Sequence, residues 1–173
     1  MTTSHTSTPA SGTRTPLRLT LTPGDQKQVL DGAWWPQSRH LPTELADLVD
    51  HFPPERARIS RVVFSPPDWD GAQRRIQVDG RHVKAGSFPH DDTHVVVLRT
   101  SDRTFLTLLV VPATFTRGQG EEAMLAAATP GNQHAAGELL TEASQHVHAD
   151  SDDHWSDDGG TWWDKDTEAP SYR

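Results

Sequence analysis

The chain has 173 residues, a formal net charge of -8 and no cysteine. Disulfides, thiolate metal sites and cysteine nucleophiles are therefore excluded, and stability must come from burial in one modest core. The polar N-terminus has no apolar segment of signal-peptide type, and no apolar run, Leu108 to Val111 included, is long enough to span a bilayer. The expectation is a soluble, cytoplasmic protein.

Residues 1–16 lack aliphatic side chains and periodicity and are expected to form a disordered tail. A short strand follows, Leu17 to Leu21, closed by the turn residues Thr22-Pro23-Gly24-Asp25. The stretch Leu30-Asp31-Gly32-Ala33-Trp34-Trp35-Pro36 then leads into a helix on which Leu41, Leu45, Leu48 and Phe52 recur at helical spacing, until Pro53-Pro54 stops it. From Arg58 the period becomes alternating. Ile59 to Ser65 is one strand, and Arg74 to Val78 with Arg81 to Ala85 flank Asp79-Gly80, a strong hairpin signal. His94 to Arg99 and Phe105 to Val111 form a second hairpin. Both are apolar at almost every position, which predicts central strands covered on both faces. Two helices close the pattern, Glu121 to Ala128 and a last one carrying Ala136, Leu139, Leu140, Ala143 and Val147.

The expected architecture is a single α+β domain over residues 17–147. A curled antiparallel sheet of five or six strands packs with two or three helices, with a small closed barrel as the alternative. Residues 148–173 are expected to be a disordered tail.

Charge is distributed unevenly. From Asp150 onward eight acids face Lys165 and Arg173, a net of -6, whereas Glu55 to Arg103 holds nine Arg/Lys against seven Asp/Glu. The acidity belongs to the tail, and the middle of the chain is mildly basic.

Leu30-Asp31-Gly32-Ala33-Trp34-Trp35-Pro36 followed by Ser38-Arg39, together with the strand-rich run from RISRVVF to LTLLVVP and the later TPGNQ, resembles domain of unknown function 5994, a family found mainly in actinobacteria. The resemblance covers residues 17–145. It implies a shared fold, and it carries no assigned activity.

Several constellations offer chemistry. His146, His148 and Asp150 read HxHxD and are weak candidates for a metal; a solvated tail explains them as well, and no cofactor is expected. Gly118-Gln119-Gly120-Glu121-Glu122-Ala123 matches GxGxxA, but it follows a hairpin strand and a loop, and its glutamates would repel a pyrophosphate. Asp68-Trp69-Asp70 is a carboxylate pair with an aromatic, of a kind suited to acid/base or sugar sites, or else turn chemistry. Arg58, Arg61, Arg74, Arg75, Arg81, Lys84 and Arg99 lie on strands of one sheet. They would suit phosphates, although nucleic-acid binding is disfavoured because stacking aromatics are missing from the same face.

The tail holds Trp155, Trp162 and Trp163 among its acids, a composition suited to anchoring on a groove lined by basic residues. The leading expectation is a non-enzymatic binding or regulatory module whose acidic tail contacts a protein partner or its own Arg-bearing sheet. The alternative is a small enzyme or ligand-binding protein with a pocket near Asp31, Trp34, Trp35 and Arg39. A weak nucleic-acid binder is the third reading. Trp34 and Trp35 are themselves expected to act mainly as a clamp on the first helix.

Overall fold

In the computed structural model, residues 14–24, 28–71, 73–78, 80–87 and 93–153 are described, with side chains up to residue 146. Seven strands are present: β1 (Leu19–Leu21), β2 (Gly32–Trp34), β3 (Ile59–Phe64), β4 (Arg75–Val78), β5 (Arg81–Ser87), β6 (Val95–Thr100) and β7 (Phe105–Val110). Three α-helices accompany them: α1 (Leu41–Asp50), α2 (Arg117–Ala127) and α3 (Ala136–Asp153). The strands form one open sheet in the order β1-β2-β7-β6-β3-β5-β4.

The α+β expectation holds, with three corrections. The sheet is mixed: β2 runs parallel to β7, and β3 runs parallel to β5. It also has seven strands rather than five or six; it is open, with edges at β1 and β4, which rules out the barrel alternative. The extra strand is β2, which sequence reasoning left as a lead-in to the helix because three residues are too few to show alternation.

That short strand lies one in from the β1 edge of the sheet and, with the residue that follows it, supplies both cores. Successive residues on a strand face opposite sides. Trp34, 1% exposed, lies in a core with α1 and with apolar residues of β3 to β7, where it stacks on Trp69 with ring centroids 5.3 Å apart. Trp35, 5% exposed, lies in the opposite core with Leu109, Val111 and the alanine- and leucine-bearing faces of α2 and α3. Its indole N–H donates to the Pro112 carbonyl at 3.2 Å. The Arg18 guanidinium lies 3.7 Å from the Trp35 ring centroid and donates to the carbonyls of Trp35 and Pro36. Burial at this position pushes the Arg18 guanidinium below its ordinary pKa.

Helix α1 seats on the first face through Leu41, Leu45, Leu48 and Val49. Its first turn contains Glu44, a carboxylate only 2% exposed. The cost of burying that charge is offset by donors from three directions: Arg14 at 2.6 Å, the Gln37 backbone N–H at 3.0 Å and the Ser38 hydroxyl at 2.7 Å. Arg14 lies in the segment expected to be tail, and it also pairs with Asp47. The domain therefore begins at or before Arg14. At the other end α3 continues to Asp153, overlapping the segment expected to be tail.

The GxGxxA stretch is helical from Arg117 and is opened by a capping box in which Thr116 and Gln119 exchange hydrogen bonds. Gly120 is there for packing. A Cβ at this position would stand 2.3 Å from the six-membered ring of Trp35, well inside contact distance. Gly120→Ala is therefore expected to destabilise the fold by about 1–3 kcal/mol, measured by denaturant unfolding, whereas Gly131→Ala, with nothing near its Cβ, should lose less and only through its positive φ.

A second expectation concerns the β6–β7 turn. Hydrogen bonds from the Thr100 hydroxyl and the Thr104 backbone N–H hold the Asp102 carboxyl below its usual pKa. A depressed folded-state pKa contributes stability above the usual carboxylate range, and that contribution is lost as pH falls through the folded value. Asp102→Asn should accordingly flatten the acid limb of a stability-versus-pH curve, and an unchanged limb would remove this assignment.

Candidate functional site

The two layers cover the sheet unequally. On the first face α1 lies over the sheet, packing against β4. On the second face α2 packs on β1, β2 and β7, and α3 packs on α2. Among the described residues no helix covers that second face over β6, β3, β5 and β4.

Strand register sets what this open face displays. Phe105 of β7 pairs with Arg99 of β6, Arg99 with Arg61 of β3, Arg61 with Lys84 of β5, and Lys84 with Arg75 of β4. Residues directly opposite one another share a face. Four cations therefore stand shoulder to shoulder across four strands, ending at an aromatic. The neighbouring row on each strand points inward: Leu106, Leu98, Val62, Ala85 or Val83, and Ile76 are all buried. Arg61, Lys84 and Arg75 are exposed, Arg99 is half-buried, and Phe105 is 62% exposed. The Arg99 guanidinium lies 5.6 Å from the Phe105 ring centroid.

Among the described residues no ion pair reaches any of the four cations. Strands β3 to β7 contain no aspartate or glutamate at all. Like charges directly opposite on adjacent strands are destabilising by a fraction of a kcal/mol per pair, and here three such pairs are consecutive. Cations on an edge strand commonly guard it against pairing with another sheet. That explanation suits Arg75 on β4, but Arg61 and Arg99 sit on the interior strands β3 and β6.

The other basic residues of the strip are placed elsewhere. Arg81 donates to the Ile59 carbonyl at 2.8 Å, and Arg58 lies with Arg81, Phe52 and Pro54 beside the end of α1. Arg74 precedes β4 and is exposed there. What the sequence left unresolved was the pairing: the cationic row arises from register across strands far apart in the chain.

The residues singled out around the double tryptophan do not form one pocket. Trp34 and Trp35 are core residues on opposite faces: Trp34 shares a core with α1, whereas Trp35 packs with α2 and α3 and so does not clamp the first helix. Asp31 is held in the sheet: its backbone N–H donates to the Thr107 carbonyl and its carboxylate accepts the Thr107 N–H, each at 2.7 Å. Arg39 points the other way and bonds Asp70 at 3.1 Å and the Pro67 carbonyl at 2.9 Å. Asp68 and Asp70 likewise diverge, to His94 and Arg39, while Trp69 between them is buried against Trp34. They are thus not a carboxylate pair around an exposed ring. Trp155, Trp162, Trp163 and the side chains of His148 and Asp150 lie outside the described residues; His146 is exposed near the end of α3.

These features define an α+β protein with an open, mixed seven-stranded sheet that is helix-covered on one face and only partly so on the other. The model of a family of unknown function, DUF5994, matches residues 18–127, and the chain belongs to that family. The match runs from the start of the sheet to the end of α2. No curated protein and no solved structure shows significant similarity to the chain. Among the described residues no helix is long and apolar enough to cross a membrane.

The row makes a direct expectation. In a chain ending at Ala149, Lys84→Thr removes the central like-charge contacts and adds a β-branched residue. Stability should rise by up to about 1 kcal/mol at low ionic strength, with the gain shrinking in high salt, as read by urea unfolding.

Proposed function

We propose that this protein is a binding module whose cationic sheet face receives an acidic, tryptophan-bearing segment, supplied by its own C-terminal residues from Asp150 onward. The observation that carries this reading is the register: four cations in one row, on strands devoid of acids, with an exposed phenylalanine at one end. The row needs anions, and the segment carries a net of -6. It also holds three of the six tryptophans, which match a face offering guanidinium groups and the Phe105 ring.

Reach does not limit the contact. Residues 154–173 span roughly 66–72 Å when extended, several times the length of the row itself, about 19 Å for five strands at ordinary spacing. Tethering raises the effective concentration of the segment to the millimolar range, so modest affinity suffices for it to occupy the face. A partner with an acidic surface would then have to displace it. A nucleic acid would meet the same competition, as well as a chain that is acidic overall.

Acrylamide quenching of the full chain tests the docking. The three C-terminal indoles should be partly protected at low salt and become fully accessible at about 0.5 M salt, where the Debye length falls below roughly 5 Å. The same gain in accessibility should follow Arg61→Glu with Lys84→Glu. Equal quenching in the wild type and the charge-reversed protein would overturn the reading. So would salt-dependent retardation of single-stranded DNA by the full chain with quenching left unchanged, because the face would then be open to nucleic acid. Lys84→Thr supplies an independent sign: the gain expected for the chain ending at Ala149 should disappear in the full chain, where the segment neutralises the row.

A further inference from the structure

A cleft of about 230 Å³ lies where the loop after Trp35, the Pro66–Asp70 turn and the residues flanking β6 and β7 meet. Its walls are apolar, from Pro36, Pro67, Val110, Val111 and Pro112, and its polar side chains include Ser38, Arg39, Asp68 and His94. It stands apart from the cationic row and is independent of that reading.

One turn orients both Arg39 and His94 at the cleft. The Asp68 side chain, 5% exposed, accepts the His94 backbone N–H at 2.8 Å on one oxygen and faces His94 Nδ1 at 3.1 Å with the other. The Pro67 carbonyl and the Asp70 carboxylate hold Arg39, and the Asp70 N–H returns to the Arg39 carbonyl at 2.9 Å. The His94 carbonyl is fixed in turn by the Val110 N–H at 2.8 Å. His94 adopts φ 62, a left-handed conformation that is costly for a residue with a side chain. The surrounding bonds hold it there, and they set the imidazole with Nδ1 toward a buried carboxylate.

The Asp68 carboxylate at Nδ1 keeps a proton on that nitrogen, so Nε2 is the nitrogen left for a ligand, and it donates only when the ring carries its second proton. Among the described residues nothing bonds His94 Nε2, and the Nη1 group of Arg39 is likewise unbonded. The two carboxylates do not turn the cleft into a cation site. Asp68 has both oxygens committed to His94, and Asp70 stands outside the lining, on the far side of Arg39.

We infer that this cleft binds a small organic oxyanion, a carboxylate or phosphate monoester on an apolar body, held between Arg39 and His94 Nε2 with the body against Pro36, Val111 and Pro112. The guanidinium edge supplies charge-assisted hydrogen bonds to the oxygens, the His94 ring adds one when the bound acid's proton resides on Nε2, and the apolar walls receive the body of the ligand.

The probes are benzoate, phenyl phosphate and neutral benzamide, titrated into the full chain while the ring nitrogens of His94 are followed by NMR. Saturable shifts at Nε2 are expected with at least one of the two anions, and which of them binds tighter separates the carboxylate from the phosphate. Arg39→Gln should weaken binding at least tenfold. Asp68→Asn should weaken it too, by releasing the ring. Asp70→Asn removes the competing carboxylate from Arg39 and should tighten binding, a gain that a damaged fold could not produce. Benzamide binding as well as benzoate, or no saturable shift with either anion up to roughly 10 mM, a range that covers weak fragment affinities, would overturn the inference. So would binding unchanged by Arg39→Gln in a protein that keeps its unfolding midpoint.

Discussion

The fold depends on two adjacent indoles being sent to opposite sides of one strand. β2 is three residues long, yet its last residue, Trp34, and the Trp35 that follows anchor the two cores between them. A one-residue slip of β2 against β7 would exchange the two rings, putting Trp35 under α1 and Trp34 under α2. The surroundings forbid that exchange. Trp34 needs Trp69 to stack on, and Trp35 needs the space left by Gly120 and the carbonyl of Pro112. Gly32 completes the lock: a side chain there would stand 2.1 Å from the Thr20 carbonyl of β1, so β1 and β2 can lie together only over a glycine.

Parallel pairing of β2 with β7 follows from the same arrangement. Asp31 extends that ladder by one residue through its paired hydrogen bonds to Thr107, and the Val111 N–H donates to the Trp34 carbonyl at its other end. β7 is thereby held from Thr107 through Val111, and its continuation, Val111-Pro112, lines the cleft. The buried Glu44 fixes the opposite wall, because it holds Gln37 and Ser38 from within and leaves Arg39 to face outward. A motif that reads as a ligand site in sequence is in fact the foundation beneath one.

How much of this the sequence disclosed depended on how local the signal was. Helix α1, the β4–β5 hairpin around Asp79-Gly80 and the apolar strands β6 and β7 were legible, because each is set by periodicity or turn chemistry within about ten residues. β2 was not, since three residues carry no period and the pairing that makes them a strand lies some 75 residues away. The role of Gly120 was hidden for a similar reason: only the ring of Trp35 explains it. His94 drew no notice as a site residue. It has no motif around it, and its partner, Asp68, is 26 residues distant in the chain. The Asp68-Trp69-Asp70 run reads as a turn, but its carboxylates bond His94 and Arg39 from other parts of the chain rather than capping it, and that arrangement exists only in three dimensions.

The pattern of charge pairing separates structural cations from those that await a partner. Around α1 and the adjoining loops these carboxylates each have a nitrogen partner: Arg14 for Glu44 and Asp47, Arg39 for Asp70 and the His94 ring for Asp68. On α2, Arg117 pairs with Glu121. A sequence that pairs its charges so consistently in these places leaves Arg61, Lys84, Arg75 and Arg99 together without one anion on strands β3 to β7. Random solvation of surface charges would scatter acids among them and relieve the repulsion at no cost to the fold. Their exclusion from five consecutive strands, in a chain whose surplus of acids is concentrated from Asp150 onward, is the charge separation that the proposed docking of one region on the other would require.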